Sequence, residues 1–150
     1  MKKRMLILVL VALVASLGFA TVAAAKTIEG TGTLTAKGAG IAVVHGDGSV
    51  EIQGHGVGVV WVKNAESLEA HGHGIRKELP GGAVLFAGWS GQISASGSNL
   101  TVRMKGGRIE FTATGTGWVY LKGRGTYEIG DRSGRWSANG TLIRLAPNNR

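Results

Sequence analysis

Three histidines and one carboxylate carry the spacing of metal ligands. His55 stands in Gly54-His55-Gly56, while His71 and His73 form a His-x-His step with Glu69 two residues before it. On an extended strand, residues two apart share a face. His71 and His73 joined by His55 from a neighbouring strand, with Glu69 as fourth ligand, would hold zinc or another divalent transition metal. The same side chains also suit an ordinary solvated sheet face. No partner that would orient the imidazoles is readable from the sequence.

A second constellation is aromatic and basic. Trp118, Tyr120, Lys122 and Arg124 alternate along one strand face, and Arg135 and Trp136 follow on what should be a neighbouring strand. Flat rings beside cations suit sugar faces and anionic partners: an acidic polysaccharide, a phosphate-rich envelope polymer or a lipid headgroup. The competing reading is that these rings cover the sheet or meet a second copy of the chain. Stacking on nucleic acid is chemically available, but an exported protein seldom meets it.

Catalytic groupings do not emerge. The chain has no cysteine, and no helix signal follows any Gly-x-Gly pair to cradle a phosphate. Calcium-binding β-rolls need an aspartate in nearly every repeat, whereas the repeats here offer only Asp47. Threonine ladders at Thr31, Thr33, Thr35 and at Thr112, Thr114, Thr116 resemble flat ice-binding arrays, and are also ordinary strand formers.

These side chains depend on strands for their placement. From Ile28 to Val62 every even position is apolar or glycine, and from Ile109 to Ile129 every odd one is. Period 2 over such lengths means β-strands with one face buried. Gly-x-Gly pairs at 30/32, 38/40, 46/48 and 54/56 recur at an eight-residue step, as a solenoid or a row of hairpins would produce. Gly46-Asp47-Gly48 has turn chemistry, and a turn there sets Gly38 opposite Gly56. A turn over residues 63–67 then sets Gly58 opposite Gly72, His71 opposite Val59 and His73 opposite Val57. Gly97-Ser98, Gly106-Gly107 and residues 130–134 supply further turns. The expected fold is an all-β antiparallel meander of roughly eight to eleven strands. Glycine kinks on its inner face would curl it into a small barrel or barrel-like sandwich.

Residues 1–25 read as a signal peptide: Lys2, Lys3 and Arg4, an apolar stretch to Ala20, and Ala23-Ala24-Ala25 before the cleavage point. The apolar stretch approaches spanning length, so an uncleaved anchor is the rival. Residues 26–150 then form a single β-domain exposed to the periplasm, cell surface or medium. Net charge falls from +8 to +5 when the three leader cations leave. Residues 103–150 hold nine basic and three acidic side chains, against five and six in 26–102. A basic C-terminal half fits an anionic partner or serves solubility.

The runs Gly30-Thr-Gly-Thr-Leu-Thr-Ala-Lys-Gly-Ala-Gly-Ile-Ala-Val-Val, Gly54-His-Gly-Val-Gly-Val-Val-Trp and Gly123-Arg-Gly-Thr-Tyr resemble a group of small exported prokaryotic glycine-rich β-repeat proteins, mostly called hypothetical. The resemblance spans about Glu29 to Leu145. It implies the fold and no activity. The expectation is an exported, non-catalytic structural or interaction protein of the cell envelope or surface. The alternative is a metal-binding protein or metalloenzyme at the histidines, and self-association remains a third route.

Overall fold

The computed structural model describes residues 26–146; the predicted leader at 1–25 lies outside the described residues, as do 147–150. The chain is all-β, with no helix among the described residues. Its strands are β1 (Lys26–Thr31), β2 (Thr33–His55), β3 (Val59–Lys63), β4 (Ser67–Glu78), β5 (Val84–Ile129), β6 (Arg132–Arg135) and β7 (Thr141–Ala146).

The expected meander of short hairpins does not form, and the sheet does not close into a barrel. Gly46-Asp47-Gly48 lies inside β2, and Gly97-Ser98 and Gly106-Gly107 lie inside β5. The first reversal comes at Pro80-Gly81-Gly82, where the Leu79 N–H donates to the Ala83 carbonyl at 2.8 Å. From there β5 runs back beside the outgoing chain. Glu78 faces Val84, Ser67 faces Ser96, Val50 faces Ala113 and Leu34 faces Ile129. Residues 33–129 are thus one long hairpin.

That hairpin winds on itself. Leu34 lies between Ala113 and Ile129, Gly40 between Gly106 and Gly123, and Val50 between Ala95 and Ala113. Where a β2 residue has two β5 neighbours, these are sixteen to eighteen apart, and β5 runs antiparallel both times. A strand can meet one partner at both edges without a reversal only if the ribbon coils. β3 shows the same sandwiching, with Val59 between Ala87 and Lys105. Beyond a second reversal at Gly130-Asp131, β6 and β7 lie along the last stretch of β5, and β1 pairs parallel with β7.

Glycine makes the coil tight. Gly46 faces Gly117, and a Cβ on Gly46 would overlap the Thr116 carbonyl oxygen and sit 2.8 Å from the Gly117 Cα. Its φ of 149° is a conformation that L side chains rarely adopt. Such bends recur at about the eight-residue step of the glycine pairs, so each turn has two walls. The glycines expected to kink an inner face into a barrel line the bends of the coil instead, and with different partners. Gly54 and Gly72 flank Gly91, so the return strand separates residues that the hairpin reading placed side by side.

The winding also needs extra residues. Gly48↔Gly97 is followed by Gly46↔Leu100, and Gly40↔Gly106 by Gly38↔Ile109, so β5 spends two residues against one. Each is a β-bulge, which bends a strand and flips its side-chain phase. Buried residues in β5 accordingly change from Ile93 and Ala95 to Leu100, Val102 and Met104, then back to Ile109, Phe111 and Ala113. Between the walls, Ala42 and Val44 join Leu34, Ala36, Val50, Ile52, Phe86 and Phe111 in one core. Burying a side chain of the larger kind stabilises by about 1.5–3 kcal/mol.

Candidate functional site

The histidines are not brought together. Ser90 lies between His55 and His73, and His71 faces Gln92 rather than Val59. Two strand spacings, about 10 Å, therefore separate the His55 and His73 backbones. The expected cross-strand neighbours were wrong because the return strand fills the space. His71 lies 3.9 Å from Glu69, both well exposed. His55 turns to Glu110, Nε2 to Oε2 3.0 Å. No group of three His, Cys, Asp or Glu able to hold a metal ion occurs among the described residues.

Glu110 also takes Lys37 Nζ at 3.1 Å. Hydrogen bonds from Lys37 first and His55 second hold its carboxyl below the usual carboxylate range. A carboxyl more acidic in the folded state contributes stability above the unfolded pKa and loses it as pH falls through the folded one. Acidification below about pH 4.5 should therefore weaken the fold, and Glu110→Gln should flatten that part of a stability–pH curve measured by urea denaturation. An unchanged slope would mean that the trio contributes nothing. Lys37, His55, Arg108 and Arg124 share a shallow groove of about 580 Å³ with Glu110.

The aromatic-basic set divides. Trp118 is exposed, its ring 5.4 Å from that of His45, and His45 Nδ1 pairs with Thr101 Oγ1 at 2.8 Å. Lys122 is half-buried on the same wall. Tyr120 points the same way but is buried, its ring lying where a side chain on Gly140 would be. Trp136 is 6% exposed and belongs to the core, with its indole N–H donating to the Thr126 carbonyl at 3.1 Å. It fills the space beside Gly38, whose missing Cβ would come 3.0 Å from Trp136 Cε2. Arg124 is exposed opposite Ala39 at a bend. Arg135 faces Thr126 and so belongs to the other wall. The six residues do not form one patch.

Winding assembles a different one. Three cross-strand rows cover one wall. The first runs Arg144–Trp118–His45–Thr101–Lys63, the second Leu142–Tyr120–Val43–Arg103–Trp61–Leu85–Lys77, and the third Lys122–Ile41–Lys105–Val59–Ala87–Ile75. Six cations fall in these rows and no carboxylate does. Arg103 lies over the Trp61 ring at 4.9 Å. Lys63, Lys105 and Arg144 are exposed.

The opposite wall is hydroxyl-rich and acidic. One row reads Ser67–Ser96–Ser49–Thr114–Thr33, the next Glu69–Ser94–Glu51–Thr112–Thr35–Glu128–Ser133. Two threonine ladders meet there, with Thr33 and Thr114 hydroxyls 3.3 Å apart and Thr35 and Thr112 likewise.

Of this wall, sequence reasoning singled out Trp118, Tyr120 and Lys122, and not Lys63, Lys77, Arg103, Lys105, Arg144 or Trp61. Those residues come from separate stretches that only the coil makes adjacent. A usable signal was present. Glycines 38 and 125, 40 and 123, 46 and 117, 48 and 115, and 72 and 91 are mirrored about Gly81-Gly82. No protein-family model, curated protein or solved structure matches the chain.

Proposed function

We propose that this is an exported, non-catalytic structural and interaction protein of the cell envelope or surface, and that its basic wall holds an anionic polymer or carbohydrate. The observation that carries the reading is three adjacent rows holding six cations, two tryptophans and no carboxylate. Strands about 4.8 Å apart display the cations at regular spacings on a broad sheet face. Like-signed charge on such a face concentrates an anionic partner, while exposed ring surface adds contact that salt does not screen.

The test is retention on immobilised dextran sulfate at low ionic strength, followed by elution with salt. Retention should weaken steeply as salt rises, because exposed charges are screened beyond about 10 Å at 0.1 M. Passage straight through the column at 20 mM salt would remove the proposal. Stronger sedimentation with anionic than with neutral vesicles, without retention on the polysaccharide, would transfer the reading to a lipid headgroup.

A further inference from the structure

We infer that the free edge of β4 is a contact surface for a second copy of this chain, joined antiparallel about a two-fold axis at His73. β4 is the last turn of the coil. One edge pairs with β5, and no strand pairs the other among the described residues. The run His71–Arg76 is exposed, with Ile75 at 56%. An unpaired edge of this length is a template for another strand.

The bend at this edge selects the occupant. β4 turns its corner at Gly72 and Gly74, with φ of 139° and 150°. An added strand must bend at the same level, and inside the coil such levels pair glycine with glycine: Gly40↔Gly106, Gly48↔Gly97, Gly54↔Gly91. An arbitrary extended peptide brings side chains where backbones come close. A second β4 brings glycines. Antiparallel pairing about His73 sets Gly72 against the partner's Gly74 and Gly74 against the partner's Gly72, so both ribbons bend together and the coil continues into the second copy.

Charge supports the same register. Glu69 then stands opposite the partner's Lys77, on the outward face, and symmetry repeats the pair. Opposite charges directly across an antiparallel ladder are favourable, and like charges are not. The charges that keep this edge from indiscriminate pairing thereby specify one partner and one alignment. The ladder in this register, Leu68 to Glu78, is eleven residues long and small beside a permanent interface, so the dimer is reversible and concentration-dependent.

The chain has no cysteine, which makes a single introduced thiol a clean reporter. His73→Cys should give a disulfide dimer on mild oxidation, because position 73 faces itself across the axis with Cβ atoms about 5 Å apart. Ile75→Cys should remain monomeric, since the two copies of position 75 lie about 13 Å apart. In sedimentation, Lys77→Glu should weaken dimerisation about tenfold, because each new carboxylate faces the partner's Glu69 and symmetry gives two such like-charge pairs. Adding Glu69→Lys should restore it. A parent protein monomeric up to 1 mM, or equal cross-linking at positions 73 and 75, would overturn the inference. So would a dimer indifferent to Lys77→Glu.

Discussion

Gly46→Ala is expected to destabilise the protein by about 3 kcal/mol or more, lowering the thermal midpoint by roughly 10 °C. Two costs combine. The backbone at Gly46 has a φ of 149°, and the new methyl would overlap the Thr116 carbonyl oxygen across the ribbon. Neither is relieved by a rotamer change, because the obstructing atoms are backbone. Opening the bend would instead shift Gly117, whose Cα lies 2.8 Å from the added atom. Gly107→Ala is the matched comparison. It also sits at a bend of β5, but its φ is not in the restricted range and nothing lies within 4 Å of its added Cβ. Its effect should stay within about 0.5 kcal/mol. If thermal denaturation gives both variants the same midpoint, close-packed bends do not hold this coil together.

The all-β class and the buried phase of β2 were legible because period 2 is a local property. Leu34, Ala36, Ala42, Val44, Val50 and Ile52 are buried as their even positions require. Connectivity was not local. Gly46-Asp47-Gly48 suits a tight reversal, and the same glycines also suit a bend in a strand that continues. A reversal centred on Asp47 pairs even with even positions, so the buried phase could not choose between the two. The mirror about Gly81-Gly82 could, since it pairs even with odd and explains why the phase changes between the two long runs. Pro80-Gly81-Gly82 is also the place where φ values of 85° and 82° close the turn without steric hindrance.

The candidate site inherits this difference in scale. Trp118, Tyr120 and Lys122 were legible as residues of one face because they alternate within one strand. Trp136 was misplaced because its depth is set by Gly38, nearly a hundred residues away in sequence, which leaves room for the ring. Charge by half-chain marked the C-terminal half as basic, and the coil converts that linear bias into two unlike walls. Lys63 and Lys77 come from the less basic half and still join the basic wall.

The largest expected functional effect follows from that conversion. Lys105→Glu with Lys122→Glu should reduce affinity for dextran sulfate about a hundredfold at 0.1 M salt, measured by titration. The two lysines flank Ile41 in one row, roughly 10 Å apart, so both reversals fall within a Debye length of a single bound chain. Arg124→Glu with Arg135→Glu changes net charge by the same amount, but at a bend and on the opposite wall. That pair should cost less than about fivefold. The comparison separates a local surface from bulk charge, because total charge is equal in the two variants. Equal losses would mean that the polymer reads net charge alone and that the wall is no site. Trp118→Ala supplies the complementary measurement: its effect should persist at salt concentrations where the lysine effect fades, because ring contact is not screened.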